Sequence, residues 1–349
     1  MVVEPESLCW LTGRMVAARD GRTWAEEFAR FPALKAVVRD DGSGLGKGMK
    51  LERARRRDAN LPDLDDSLDI FHTLREGGRA LRKTWAAASH ALECADAAQK
   101  KFDRRGRQGH SCQGRGASLN RRWQQAEHLW DQATLAETAW QQAKSAFDFF
   151  TPEGRLNDRA AAAAVVASVL PHLDGAAWAK VRRLLLRRES FTFLDQVQAR
   201  LAGLGLDPDD LSALLDLEGL HRQPWRLSAA TRIWASIRAV QLTKSCPDWH
   251  AQAERVRVVL RGVWRASSLV ECINSVVRMQ QARHRKMTQE LLDLKRLYWN
   301  LRRFRIGRRK GQTPYGLLGL KVPDLSFWEF LKLTPEELRE NLSAHKHAA

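Results

Sequence analysis

Leu34-Lys35-Ala36-Val37-Val38-Arg39-Asp40, running into Asp41 and then Gly42-Ser43-Gly44-Leu45-Gly46-Lys47-Gly48, decides the reading of this chain. The short apolar run predicts a strand, and the glycines predict a flexible loop after it. α/β proteins place functional groups where a strand meets a loop, so Asp40 is a candidate; a turn-starting Asp has the same local sequence. Upstream, Thr23-x-x-Glu26 is a capping box, and Trp24, Phe28 and Phe31 follow at helical spacing until Pro32. Leu8-Cys9-Trp10-Leu11 is short and apolar, and Arg19-Asp20-Gly21-Arg22 reads as a turn. Strand, helix, strand is an α/β signature. The glycine stretch fits neither phosphate-binding pattern. Asp41 stands where a P-loop needs its first Gly, no Ser or Thr follows Lys47, and Lys47 replaces the third Gly of a dinucleotide loop.

Downstream the strand signal fades. Residues 73–103 and 118–150 each support a long helix, with Trp123 and Trp130 one heptad apart. The glycine- and arginine-rich stretch 104–116 between them reads as a mobile basic loop. Arg159–Leu170, Gly175–Arg188 and Ala230–Thr243 are further helices, and Gly203–Pro208 marks a turn. The tryptophans read most simply as packing between helices. After Val256–Val263, a long helical region runs from Ser268 to about Phe304, followed by a basic loop from Gly307 to Gly311. Thr334-Pro335 then opens a last helix with Pro at its first position.

Charge supplies the functional clue. The 349 residues carry 58 Lys/Arg against 41 Asp/Glu, a net +17. From Ala251 to Gly311 there are 16 basic and 4 acidic residues. Such a field favours a polyanion, nucleic acid first; a solvated basic face is the plainer reading. No apolar run reaches the roughly 18–20 residues of a membrane span. The N-terminus lacks the order of a signal peptide. Five scattered cysteines suggest a reducing, cytosolic setting. His110-x-Cys112 and Cys246-x-x-x-His250 are isolated pairs, unlike a zinc site. Asp69-Ile70-Phe71-His72 reads as a helix entry with a partly buried His.

The second constellation is Trp264-Arg265-Ala266-Ser267-Ser268-Leu269-Val270-Glu271-Cys272-Ile273-Asn274-Ser275-Val276-Val277-Arg278. Taken as one helix, Leu269, Val270, Ile273, Val276 and Val277 line the apolar side. Glu271, Asn274, Ser275 and Arg278 fall on another face. Ser268-x-x-Glu271 is also a capping box, a role compatible with a reactive carboxylate near bound phosphate.

These segments together resemble a DDE-type transposase of the bacterial insertion-sequence kind. The likeness rests on Val3–Leu11 with Arg19-Asp20-Gly21 and Trp24, Val37–Leu45, Leu68–His72, Arg265–Ser275, and Gly311-x-x-Pro314 followed by Leu318-Gly319-Leu320. The resemblance implies an α/β, mostly helical chain: an incomplete RNase H-like fold with a large all-α insertion. Residues 1–72 would form its first part, 73–255 the insertion, 256–320 the part bearing the Glu helix, and 321–349 a tail. Asp40 matches the family's second Asp and Glu271 its Glu, and the two would share a pair of Mg²⁺ ions flanking the scissile phosphate. Trp264, Ser267 and Arg278 occupy the family's minus seven, minus four and plus seven places around that Glu. With Arg265, Arg283, Arg285, Lys286, Arg302, Arg303, Arg308, Arg309 and Lys310 they are the expected DNA contacts. The expected partner is the element's terminal inverted repeats, with a homodimer or assembly with full-length transposase, in the nucleoid. The family's first Asp has no counterpart after Met1, so a truncated or split, singly defective transposase is expected. The alternative is a basic helical DNA-binding protein without catalysis, or a helical scaffold.

Overall fold

The computed structural model describes residues 1–222, 228–283, 287–321 and 325–337; of Ser268 and residues 279–283 it describes the backbone only. In chain order the elements are β1 (Val2–Val3), β2 (Trp10–Thr12), α1 (Gly21–Ala29), β3 (Ala36–Arg39), α2 (Ser43–Asp58), β4 (Asp65–Leu68), α3 (Ile70–Arg107), α4 (Arg115–Ser145), α5 (Arg159–Val169) and α6 (Ala179–Leu185). Then come α7 (Thr192–Ala202), α8 (Pro208–Arg222), α9 (Ala229–Ser245), α10 (Trp249–Gly262), α11 (Ser268–Arg283), α12 (Gln289–Leu301), α13 (Pro314–Leu317) and α14 (Phe327–Phe330). The chain is mostly helical with small sheets. Among the described residues the sheets are two pairs, β1–β2 antiparallel and β3–β4 parallel.

Two compact units divide the chain differently from the sequence zones. The first comprises Met1–Leu34, Gly42–Pro62 and Ala266–Ala349, and the second Lys35–Asp41 and Asp63–Arg265. In the first, Asp20 caps α1 by accepting from the Thr23 N–H at 2.8 Å, three residues before the expected cap at Thr23. The glycine-rich stretch is not a loop: α2 begins at Ser43 and runs through it. Its glycines are there for space. A Cβ on Gly44 would lie 1.9 Å from Arg19 O, and one on Gly48 would lie 2.5 Å from Trp24 Cβ. Glycines four apart strip one helix face to backbone, and α1 packs there.

Beneath α2, Glu52 and Arg56 are fully buried. Arg56 Nε donates to Glu52 at 2.9 Å, while its other nitrogens reach the carbonyls of Phe31, Pro32, Leu34 and Pro62. A second core of this unit joins Trp10, Ile273, Val277, Leu292 and Trp299. Buried Asn300 closes it: its Oδ1 accepts from the Trp10 N–H at 2.9 Å and its Nδ2 donates to Trp10 O at 3.0 Å. One side-chain amide thus satisfies both backbone groups of Trp10 on β2.

The second unit is built on α3 and α4, an antiparallel helical pair with alanines along the seam. Ala88 and Ala95 on α3 and Ala126, Ala133, Ala136, Ala139 and Ala143 on α4 are all buried. Small residues let the axes approach, and tryptophans fill the ends of the seam. Trp85 meets Trp130 edge-on at 4.9 Å, and their neighbour Glu137 accepts the Trp85 indole N–H at 3.1 Å. Trp140, Trp178, Phe147, Phe150, Phe191 and Phe193 lead the large apolar core behind it. Packing does not account for every tryptophan, because Trp234 and Trp328 are largely exposed. The expected basic loop shrinks: α3 continues to Arg107 and α4 resumes at Arg115. Val256–Val263 closes α10, and the predicted helix from Ser268 to Phe304 is two helices, α11 and α12.

Candidate nucleic-acid interface and acidic residues

In the second unit β3 and β4 run parallel in register, Arg39 opposite Leu68, so that Asp40, Asp41 and Asp69 cluster just past their C-terminal ends. The Asp69 N–H donates to Arg39 O at 2.7 Å and extends the ladder by one step. Arg39 and Asp66 form a buried two-pronged ion pair at 2.7 and 2.8 Å. Asp69, 2% exposed, caps α3 through the Phe71 N–H and holds His72 Nδ1 at 2.6 Å. Asp41 is held by Arg183 and Arg187, each at 2.5 Å. Asp40 is exposed. Asp41 ties α6 to the end of β3, and Asp40 is the more exposed of the two acids.

Glu271 belongs to the first unit, in the first turn of α11. Arg278, two turns along the same face, lies 3.9 Å from its carboxylate and is itself 70% exposed. α11 starts at Ser268, where the helical region was expected to begin, and residues 264–267 are an irregular connection. Ser267 contributes its carbonyl, which accepts from the Val270 N–H at 2.8 Å. Trp264 is half-buried.

Arg265 corrects an expectation. It was a candidate phosphate ligand, but its Nη1 donates to Phe147 O at 2.7 Å and its guanidinium lies 4.2 Å over the Phe149 ring. Its own carbonyl accepts from the Ile70 N–H at 2.9 Å. Burial lowers its pKa, and the side chain serves the core of the second unit rather than a ligand.

The cation-rich segment gathers at the far end of α12, within the first unit. Arg302 lies 3.6 Å over Trp299. The chain then folds into a closed loop. The Phe304 N–H donates to Gln312 O and the Gly311 N–H to Phe304 O, both at 2.9 Å. Arg303 Nη1 donates to Gly311 O, and Arg309 fastens the loop to the carbonyls of Glu6 and Pro5 at 2.8 and 3.1 Å. Arg302, Arg303 and Arg309 therefore shape the loop. Arg305, Arg308 and Lys310 are exposed and make no ion pair among the described residues. In the same unit Tyr298 and Trp328 are exposed, with Phe327 packed edge-on against each at 5.1 and 5.4 Å.

Sequence reasoning overlooked Arg305 and these aromatics. The alternation of Arg with a lone apolar residue in Arg305-Ile306-Gly307-Arg308 was the available signal. The side chain of Arg283 is not described, and Arg285 and Lys286 lie outside the described residues.

Carboxylates are the hard oxygen donors that Mg²⁺ prefers, and Asp40 and Glu271 carry them. However, no three His, Cys, Asp or Glu side chains group as a metal cage among the described residues. Mg²⁺ chemistry therefore does not follow from this arrangement. No described helix is long and apolar enough to cross a membrane. Comparison with family models, curated proteins and solved structures yields no match.

Proposed function

We propose that this chain is a DNA-binding protein of the transposase type, which holds element-end DNA with the cation-rich end of its first unit. The observation that carries the reading is the ordered loop after α12, where Arg305, Arg308 and Lys310 project from a frame held by Arg303 and Arg309. A fixed array of exposed cations suits a phosphate backbone. Guanidinium groups add two-pronged contact to phosphate oxygens.

The finer reading rests on the sequence resemblance. It takes the parallel pair β3–β4 as part of an RNase H-like sheet, residues 73–255 as the helical insertion, and Asp40 and Glu271, which belong to different units, each as an acid of the kind the family directs to Mg²⁺. Exposure of Asp40, with Asp41 held by arginines, supports Asp40 as the functional acid of the two.

Two measurements test the proposal. Binding of the full chain to a terminal-repeat duplex weakens steeply with salt, as phosphate contacts require. Incubation with Mg²⁺ and the same duplex tests for nicking by this chain, which Asp40→Asn and Glu271→Gln each abolish where those acids engage the metal. Nicking that survives Glu271→Gln removes that residue from catalysis, and binding indifferent to salt removes the DNA reading.

A further inference from the structure

The loop after α12 carries a feature that phosphate binding does not use. Ile306 sits at its tip and is 85% exposed, the most exposed large apolar side chain among the described residues. A scattered surface isoleucine needs no explanation. This one differs in its setting. It lies between Arg305 and Arg308, in a ten-residue stretch from Arg302 to Gly311 that holds six cations and no acid.

Its exposure is also built in. The loop is closed by backbone hydrogen bonds between Phe304 and Gly311–Gln312, and from Lys310 N–H to Gly307 O at 3.0 Å. Gly307 has φ +79°, the left-handed region in which side chains are strained, so the reversal directly after Ile306 requires glycine. Arg309 braces the frame against the carbonyls of Pro5 and Glu6. A loop anchored in this way cannot fold its tip back onto the protein without losing those bonds.

We propose that Ile306 is a wedge that enters the minor groove of duplex DNA and partly unstacks one base step, while Arg305 and Arg308 hold the phosphates on either side. The proposal rests on the DNA-binding reading and deepens it. The chemistry matches on both counts: a minor groove offers anionic walls about 6 Å apart, and the stacked step at its floor offers apolar surface that a branched aliphatic side chain can enter. An anionic membrane would also attract the cations. It is the poorer fit, because stable anchoring needs a broad apolar face, and the tip provides one aliphatic side chain.

The test uses the full chain and a terminal-repeat duplex labelled at both ends for energy transfer, with 2-aminopurine scanned through the steps. Wild type is expected to shorten the end-to-end distance and to brighten 2-aminopurine at one step. Ile306→Ala is expected to lose both signals and about tenfold or more in affinity, with the salt dependence unchanged. Ile306→Met restores them. Arg305→Gln and Arg308→Gln keep the brightening and each reduce the salt slope by about 0.9. Because Ile306 touches solvent rather than core, circular dichroism of Ile306→Ala should match wild type.

Three results overturn the wedge: unbent DNA with wild type, an Ile306→Ala protein that bends and binds as wild type, or Ile306-dependent binding to phosphatidylserine vesicles in place of DNA. Salt-steep binding to straight DNA defeats the wedge alone, whereas absence of DNA binding defeats the underlying reading as well.

Discussion

Replacing Arg56 by Met removes the guanidinium at the centre of the first unit while keeping most of its stem. Glu52 loses one of its two partners and retains only Arg55, whose Nε and Nη2 both donate at 2.8 Å. The carbonyls of Pro32, Leu34 and Pro62 lose the Arg56 donor at the same time, while Phe31 O keeps the Leu34 N–H at 3.0 Å. Breaking one side of a buried ion pair costs about 3–5 kcal/mol. The double variant Glu52→Leu/Arg56→Met removes the stranded charge and recovers part of that loss. Recovery is incomplete, because the carbonyls of Pro32, Leu34 and Pro62 still lack the Arg56 donor, at about 1 kcal/mol or more each. The Arg55 bonds hold the Glu52 carboxyl below its ordinary pKa despite burial, with Arg56 adding to the effect. Its contribution is therefore present above the ordinary Glu value and lost as pH falls through the lower folded one. Hydrogen exchange resolved on α1 and α2, with urea denaturation beside it, reads the change where it occurs. A single Arg56→Met that costs less than about 1 kcal/mol, or a double variant no better than the single, refutes the assignment.

Gly77 lies against Trp140 with no room for a methyl group, a Cβ there falling 1.9 Å from the indole Cζ2. Gly77→Ala should lower the melting point of the second unit by a core-overpacking cost of about 1–3 kcal/mol, while Gly106→Ala, which meets nothing within 4 Å, should not. Burial, with the Glu4 charge adding to it, pushes the Cys9 thiol up to about 12, whereas Cys272 is exposed. A thiol reagent at about pH 8 should label Cys272 at once and Cys9 only on unfolding. The stability that neutral Cys9 contributes is complete below the ordinary thiol pKa and lost as pH climbs towards 12, and Cys9→Ala should flatten that decline. Asp41→Asn should loosen α6 through the loss of two charged contacts at 2.5 Å, seen as faster exchange in residues 179–187.

Local patterns made much of the secondary structure legible. Apolar spacing marked α3, α4 and α9, and the Thr334–Glu337 cap forms with bonds of 2.7 and 3.3 Å in both directions. The glycines of 42–48 misled because glycine has two uses. A sequence shows its freedom, but only packing shows that Gly44 and Gly48 make room for α1. Arg265 misled for a related reason: charge suggests a ligand outside, while a chain 118 residues distant supplies its carbonyl partner, Phe147. Which cations of the 302–310 stretch brace the loop and which face solvent depends on the turn at Gly307 and on Pro5 and Glu6, far off in sequence. That Asp41 is held by Arg183 and Arg187, 142 and 146 residues away, could not be read from the sequence.

The central claim is that the cations after α12 grip phosphates. Its most direct measurement is the salt dependence of binding to a terminal-repeat duplex, compared between the wild-type chain and Arg305→Gln/Arg308→Gln/Lys310→Gln. The expected result is a steep wild-type line, reduced in slope by roughly 2.5–3 in the triple variant. A flat wild-type line, or equal slopes for the two proteins, contradicts it.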